Sequence, residues 1–261
     1  MGVLSVQKLS FSYEERRVLG RLDLEVGEGE VVVLLGPNGC GKTTLLDCII
    51  GYRKYQAGGI RIYGKRDTEY TAADKAKRIA YVPQACASMF PFTALQIVLM
   101  GRTPHLKRLA SPSAEDAEIA RQALRDLGIE GFEGRPFTQL SGGEKQLVMI
   151  ARAIAQDAQV ILLDEPTSSL DVKNEMRVLR CVKDLVKKTG KSVVLATHQP
   201  NHAFYFENEG LRAKAAMFAG GTIKYCGIPS DVLTEENIGD VYSVNCAVLQ
   251  YDSDYKAVVA R

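Results

Sequence analysis

The sequence predicts an α/β fold with a mostly parallel sheet and an inserted helical subdomain, on three observations. Short β-branched runs stand at residues 30–35, 160–164 and 192–198; helical periodicity separates the last two; and the stretch from 86 to 156 reads as mainly helical. Continuous apolar strands suit a sheet covered on both faces, and strands alternating with helices indicate parallel connections. At 261 residues the chain can bury a large core as one domain, with residues 1–85 and 157–261 as the α/β core and 86–156 as the insertion.

"EVVVLL" is the first buried strand, and "KTTLLDCIIG" follows as a helix stopped by Gly51. Ser113 with Asp116 caps a helix through Ile119, Ala123, Leu124 and Leu127, which Gly128 ends. Ser141 with Glu144 caps the next, continued by Leu147, Ile150, Ala151 and Ile154. "VILLD" is a second buried strand; Val172, Met176, Leu179, Val182 and Val186 then mark a helix ending at Gly190, and "SVVLATH" is a third strand. The tail "QYDSDYKAVVAR" reads as a terminal strand pair or an exposed end.

A net charge of +2 gives no reason to expect nucleic acid or an anionic membrane as the main partner. The six cysteines (Cys40, Cys48, Cys86, Cys181, Cys226 and Cys246) form no C-x-x-C pair, which argues against metal ligation and for a reducing compartment. No run approaches 18 apolar residues, and the first ten residues lack a signal-peptide layout, so any membrane role is expected to come through a partner chain.

"GPNGCGKTT" comprises Gly36, Pro37, Asn38, Gly39, Cys40, Gly41, Lys42, Thr43 and Thr44. It satisfies G-x-x-x-x-G-K-[ST] between a strand and a helix, the context that a phosphate loop requires. Its glycines let backbone N–H groups wrap a phosphate chain, the helix N-terminus adds positive potential, and Lys42 brings a full charge. Thr43 is the expected Mg²⁺ ligand. An ordinary glycine-rich turn would need neither Lys nor Thr in register.

"VILLDEP" ends a strand in two acids. Asp164 is expected to hold Mg²⁺ through water, and Glu165 to act as general base on the attacking water. Read alone, the pair could equally be a plain strand terminus. His198 also ends an apolar strand, where its imidazole could reach a γ-phosphate or serve the fold alone.

In "LSGGEKQ" the capping box explains Ser141 and Glu144 but not Gly142 and Gly143, since glycine in a helix costs up to about 1 kcal/mol relative to alanine. Glycine at a helix start offers bare N–H groups and close approach, which suits a phosphate. The first loop already encloses most of one ATP. The second is therefore expected to cap the nucleotide of another copy of the chain, giving an ATP-dependent head-to-tail pair with two-fold symmetry.

In this order, the phosphate loop, "LSGGE", "VILLDEP", "SSLD" and a strand-terminal His resemble the ATP-binding-cassette (ABC) ATPases over nearly the whole chain. The resemblance implies a P-loop NTPase core, an N-terminal antiparallel β subdomain and an inserted α-helical subdomain. It further implies that Tyr13 stacks on adenine, that Gln84 senses Mg²⁺ and γ-phosphate, and that Asp171 crosses the dimer interface.

"FPFTALQIVLMGRTPHL", "RPFTQLSGGEKQLVMIARAIAQ" and "THQPNHA" resemble the ATPase subunits of importers for iron chelates, haem, cobalamin and sometimes molybdate. That resemblance implies a transmembrane permease gripped by the segment after Gln84, indirectly a substrate-binding protein, no nucleic acid, and a place on the cytoplasmic face of the membrane. Four positions depart from the commonest cassette pattern: Cys40 replaces a small residue, Lys145 and Leu147 stand where arginines are frequent, and Gln199 follows His198 where aspartate is common. His105 and His202 read as surface or packing residues. A soluble ABC ATPase not coupled to transport is the alternative, and a small-molecule kinase would leave "LSGGEKQ" without a purpose.

Overall fold

The computed structural model describes residues 2–84, 91–107, 110–251 and 255–260. The chain divides into two compact units, residues 1–69 with 183–261 and residues 70–182.

In chain order the first unit opens with strands β1 (Gly2–Tyr13), β2 (Arg16–Gly27) and β3 (Glu30–Leu35), helix α1 (Lys42–Ile50), and strands β4 (Ala57–Ile62) and β5 (Lys65–Arg66). The second contains α2 (Ala72–Ala76), β6 (Ile79–Val82), α3 (Ala94–Leu99), α4 (Ala114–Asp126), α5 (Gly142–Ala155) and β7 (Val160–Asp164). The boundary falls within α6 (Val172–Thr189). The first unit then resumes with β8 (Ser192–Thr197), α7 (Asn201–Asn208), β9 (Arg212–Ala219), β10 (Thr222–Gly227), α8 (Pro229–Val232), α9 (Glu235–Tyr242), β11 (Cys246–Tyr251) and β12 (Tyr255–Ala260).

Two sheets organise the first unit. Strands β2, β1, β4 and β5 form an antiparallel sheet, the N-terminal β subdomain. Leu4 and Val6 pair with Val26 and Leu24 on one side and with Ile62 and Ile60 on the other, and all six side chains are buried. In the other sheet β3 lies between β8 and β9, parallel to both, while β10 pairs antiparallel with β9. A strand so enclosed has no wet face, which is why Val31 through Leu35 are fully buried and why the sequence there is an unbroken apolar run. Each such side chain contributes about 1.5–3 kcal/mol by leaving water. Beyond them β11 and β12 form an antiparallel ribbon, the strand pair that the tail permitted. The Asn201 side chain meets its outer edge at one residue, donating to the Val258 carbonyl at 3.1 Å and accepting from the Val258 N–H at 2.7 Å.

In the second unit β6 and β7 pair in parallel, and α3, α4 and α5 bury Val98, Ala120, Leu124, Phe137, Leu147 and Val148. This unit takes in the two strands as well as the helices expected over 86–156. Capping boxes at Thr93, Ser113 and Ser141 start α3, α4 and α5. Among the described residues no helix is long and apolar enough to cross a membrane.

Candidate functional site

The phosphate loop leaves the end of β3 and opens α1, within the first unit. Gly36 and Gly41 take positive φ values of 151° and 113°. Space as well as conformation requires glycine there. A Cβ at residue 36 would lie 3.0 Å from the Phe218 carbonyl oxygen, and one at residue 41 would lie 2.9 Å from Leu19 Cδ2. Pro37, Asn38, Gly39 and Thr43 are exposed, whereas Thr44 is buried. The Lys42 side chain is buried and folds back over the loop: its Nζ donates to the Gly36 carbonyl at 2.6 Å and lies 3.9 Å from Cys40 Sγ. The α1 N-terminus has no side-chain cap, so its N–H groups are those a phosphate would meet.

Tyr13 ends β1 and is 39% exposed. Phe11 meets its ring edge-on at 4.8 Å, and the Arg53 guanidinium lies 5.1 Å from the ring centroid. Gln56 holds the adjoining backbone, accepting from Ser12 N–H at 2.9 Å and donating to its carbonyl at 3.0 Å. His198 is exposed immediately after β8, while the Gln199 N–H donates to Thr197 Oγ1 at 3.1 Å. His202 is buried in α7, a packing residue as its sequence context suggested.

The carboxylates belong to the second unit. Asp164 ends β7 fully buried, and Tyr81 from the neighbouring strand donates to its Oδ2 at 3.4 Å. Glu165 has a φ of 47°, the left-handed region that glycine occupies at least cost. Such a conformation in a non-glycine residue costs on the order of 1–3 kcal/mol. A tight turn fixes it, with the Ser168 N–H and hydroxyl both donating to the Glu165 carbonyl at 3.2 and 3.0 Å. The glutamate thus stands at a place the backbone would give to glycine. Gln84 is exposed just past β6. The segment that follows it, including Cys86 and Phe90, lies outside the described residues up to residue 91.

Ser141 and Gly142 are exposed at the start of α5. Ser141 N–H donates to Glu144 Oε2 at 2.8 Å, Glu144 N–H to Ser141 Oγ at 3.3 Å, and Arg135 Nη1 to Glu144 Oε1 at 2.8 Å. The Ser141 N–H and then the Arg135 guanidinium hold the Glu144 carboxyl below its ordinary range. A Cβ at residue 142 would meet nothing within 4 Å, whereas one at residue 143 would press on residues 169 and 170. Asp171 is exposed and accepts the Asn174 N–H at 2.8 Å, so within its own chain it caps α6.

Sequence reasoning missed Arg53, Gln56, Tyr81 and Arg135. Only Tyr81 carried a signal, as a polar-tipped residue in a short apolar strand; the others act through contacts whose partners lie 9 to 44 residues away or across an aromatic ring.

A phosphate loop on a parallel sheet, strand-terminal acids and a second glycine-bearing helix start define a phosphate-loop nucleotide hydrolase. Residues 19–168 match the family model described as ABC transporter. The chain belongs to that family, as an ATP-binding and ATP-hydrolysing subunit. It is 37% identical over 254 residues to the molybdate import ATP-binding protein MolC of Haemophilus influenzae, covering 97% of this chain and 92% of that one. The petrobactin import ATP-binding protein FpuC of Bacillus anthracis is 34% identical, with 95% and 89% covered. Among solved structures, a metal-chelate type ABC transporter in an inward-facing conformation gives a TM-score of 0.85 at 35% identity, covering 100% of this chain and 98% of that one. A dimeric bacterial ABC transporter cassette gives 0.76 at 27% identity, covering 87% and 98%.

Proposed function

We propose that this chain powers a membrane importer for a metal chelate or related anion, in the range of iron-siderophore, haem, cobalamin or molybdate. The observation that carries this reading is similarity along almost the whole chain to import ATP-binding subunits, together with the metal-chelate transporter among the solved structures. The subunit binds a separate permease, which holds it at the cytoplasmic face of the membrane and receives substrate from a binding protein. Pro91 and Phe92 before α3 and Met100 after it are exposed, which supports a partner surface directly after the Gln84 segment.

In this reading the backbone of Gly36 through Thr44 wraps the phosphates, Lys42 turns its ammonium to the β/γ-phosphates, and Tyr13 stacks on adenine. Thr43, Asp164 and Gln84 all offer oxygen, the donor chemistry Mg²⁺ takes, and Mg²⁺ usually relies on one or two carboxylates plus phosphate oxygens rather than a dedicated cage. When bound, the ion neutralises phosphate charge. Glu165 takes the proton of the attacking water, while His198 and Gln84 orient that water and the γ-phosphate. Ser141, Gly142, Gly143 and Glu144 of a second copy, with its Asp171, close on the same nucleotide. Two copies thereby enclose two ATP in a head-to-tail dimer.

Light scattering on Glu165→Gln protein with and without Mg-ATP tests the reading. A monomer-to-dimer shift that Ser141→Arg removes is the expected result. ATP binding without dimerisation, both for the chain alone and in the presence of its permease, would overturn the shared-nucleotide site.

A further inference from the structure

Residues 92–94, 101–105 and 135–137 take no part in the ATP chemistry above, yet they converge on one helix. The backbone at Phe92–Ala94 runs as a bridge against 135–137: Phe137 N–H donates to the Phe92 carbonyl at 2.7 Å, Ala94 N–H donates to the Arg135 carbonyl at 3.0 Å, and Thr93 pairs antiparallel with Pro136. Arg135 leaves that bridge over the Phe132 ring, 4.9 Å from its centroid, and ends on Glu144 at 2.8 Å. Its charge is therefore held from two sides and delivered to the capping box of Ser141.

The other end of α5 is held by the same stretch of chain, one helix later. Arg102 Nη1 donates to the Ala155 carbonyl at 2.8 Å, and its Nε pairs with Asp116 at 2.9 Å in a buried site. His105 Nε2 lies 2.8 Å from the Gln156 carbonyl oxygen. Gly101 packs so closely that a Cβ there would collide with the Arg152 carbonyl. The Ala155 and Gln156 carbonyls are among the terminal ones that a helix leaves unsatisfied.

We propose that residues 92–105 clamp α5 at both ends, and that Arg135 is the positioning residue that makes Ser141 follow that segment. The functional half of this inference rests on reading Ser141 as a contact to the nucleotide of a second copy. A displacement at the permease-facing start of α3 then moves the Ser141 end as part of a rigid body, because the charge-assisted Arg135–Glu144 bond and the backbone bridge resist it together.

Hydrogen exchange on the full chain, read over residues 141–147, tests the clamp without any nucleotide. Thr93→Ala removes the α3 cap without touching α5, and is expected to speed exchange there about fivefold, the scale of one lost cap. In an Arg135→Met background the same change should have no further effect on 141–147, and Arg135→Lys should restore the coupling in part. Exchange over 141–147 that ignores Thr93→Ala, or responds equally with and without Arg135, overturns the clamp. In ATP turnover, Arg135→Met is expected to lower kcat about five- to tenfold with KM for ATP unchanged, the range of a modest coupling energy. Normal turnover in Ser141→Arg would instead remove the reading of Ser141 and leave the exchange result to decide the clamp.

Discussion

Leu170 rests against Gly143: a Cβ at residue 143 would come within 3.1 Å of Leu170 Cδ2 and 3.4 Å of the Ser169 carbonyl oxygen. The two glycines of "LSGGE" therefore answer to different causes. Gly143 lets the loop 168–171 pack onto the helix start, while Gly142 has open space around it. Gly143→Ala is expected to lower stability by about 1 kcal/mol and to displace Asp171, because a small overpacked group forces its neighbours aside. Gly142→Ala should be neutral or gain up to about 1 kcal/mol from helix propensity. A loss of ATP-dependent dimerisation in Gly142→Ala without any loss in urea stability would separate ligand contact from packing.

The left-handed backbone at Glu165 separates stability from chemistry at one residue. Glu165→Gly should be at least as stable as the parent, relieving strain of on the order of 1 kcal/mol, yet should fail to turn over ATP. Glu165→Gln should lower turnover about 10²- to 10⁴-fold with ATP still bound, the cost of a missing general base. Phosphate release and thermal unfolding on the same preparations check both statements.

Lys42 and Cys40 share the inside of the phosphate loop, with Nζ and Sγ 3.9 Å apart. Lys42→Ala is expected to abolish binding of a fluorescent ATP analogue, since the loop loses its full cation. A maleimide on Cys40 should block the same binding, ATP should protect against it, and Cys40→Ser should bind ATP and resist the reagent. Blocking that persists in Cys40→Ser would assign the effect to another thiol.

Acid should loosen the second unit through Asp116. The Ser113 N–H, the Arg102 guanidinium and the Ser113 hydroxyl lower its carboxyl from 3.8 to about 2. The folded chain thus gives up this proton more readily than the unfolded one. The stability that follows is complete above about pH 4 and disappears as pH falls through about 2. Urea unfolding at several pH values from about 5 down through that window should show Asp116→Asn less stable than the parent near pH 5, with the gap narrowing as the solution is acidified.

Much of this molecule was legible wherever one local rule sufficed. The buried run at 30–35, the capping boxes at Ser113 and Ser141 and the glycine stop at Gly51 each became the element expected. The paired antiparallel strands Gly2–Tyr13 and Arg16–Gly27 carry no such rule: their ladder shifts register repeatedly, so alternation breaks before it can be read. Arg135 and Arg53 were equally opaque. Each looks like a solvated surface charge until the fold brings Glu144 or the Tyr13 ring beside it. The Glu165 conformation was hidden as well, because an acid after an apolar strand reads the same whichever sign φ takes.

The side-chain amide at Asn201 has a consequence for solubility. Val258 lies midway along β12, and both its outward backbone groups are already engaged by that amide. An incoming strand seeking to extend the ribbon meets a carboxamide in the middle of the row it would have to pair with, and the ladder breaks after a few residues. One asparagine side chain acts there as a stopper against edge-to-edge stacking of neighbouring molecules.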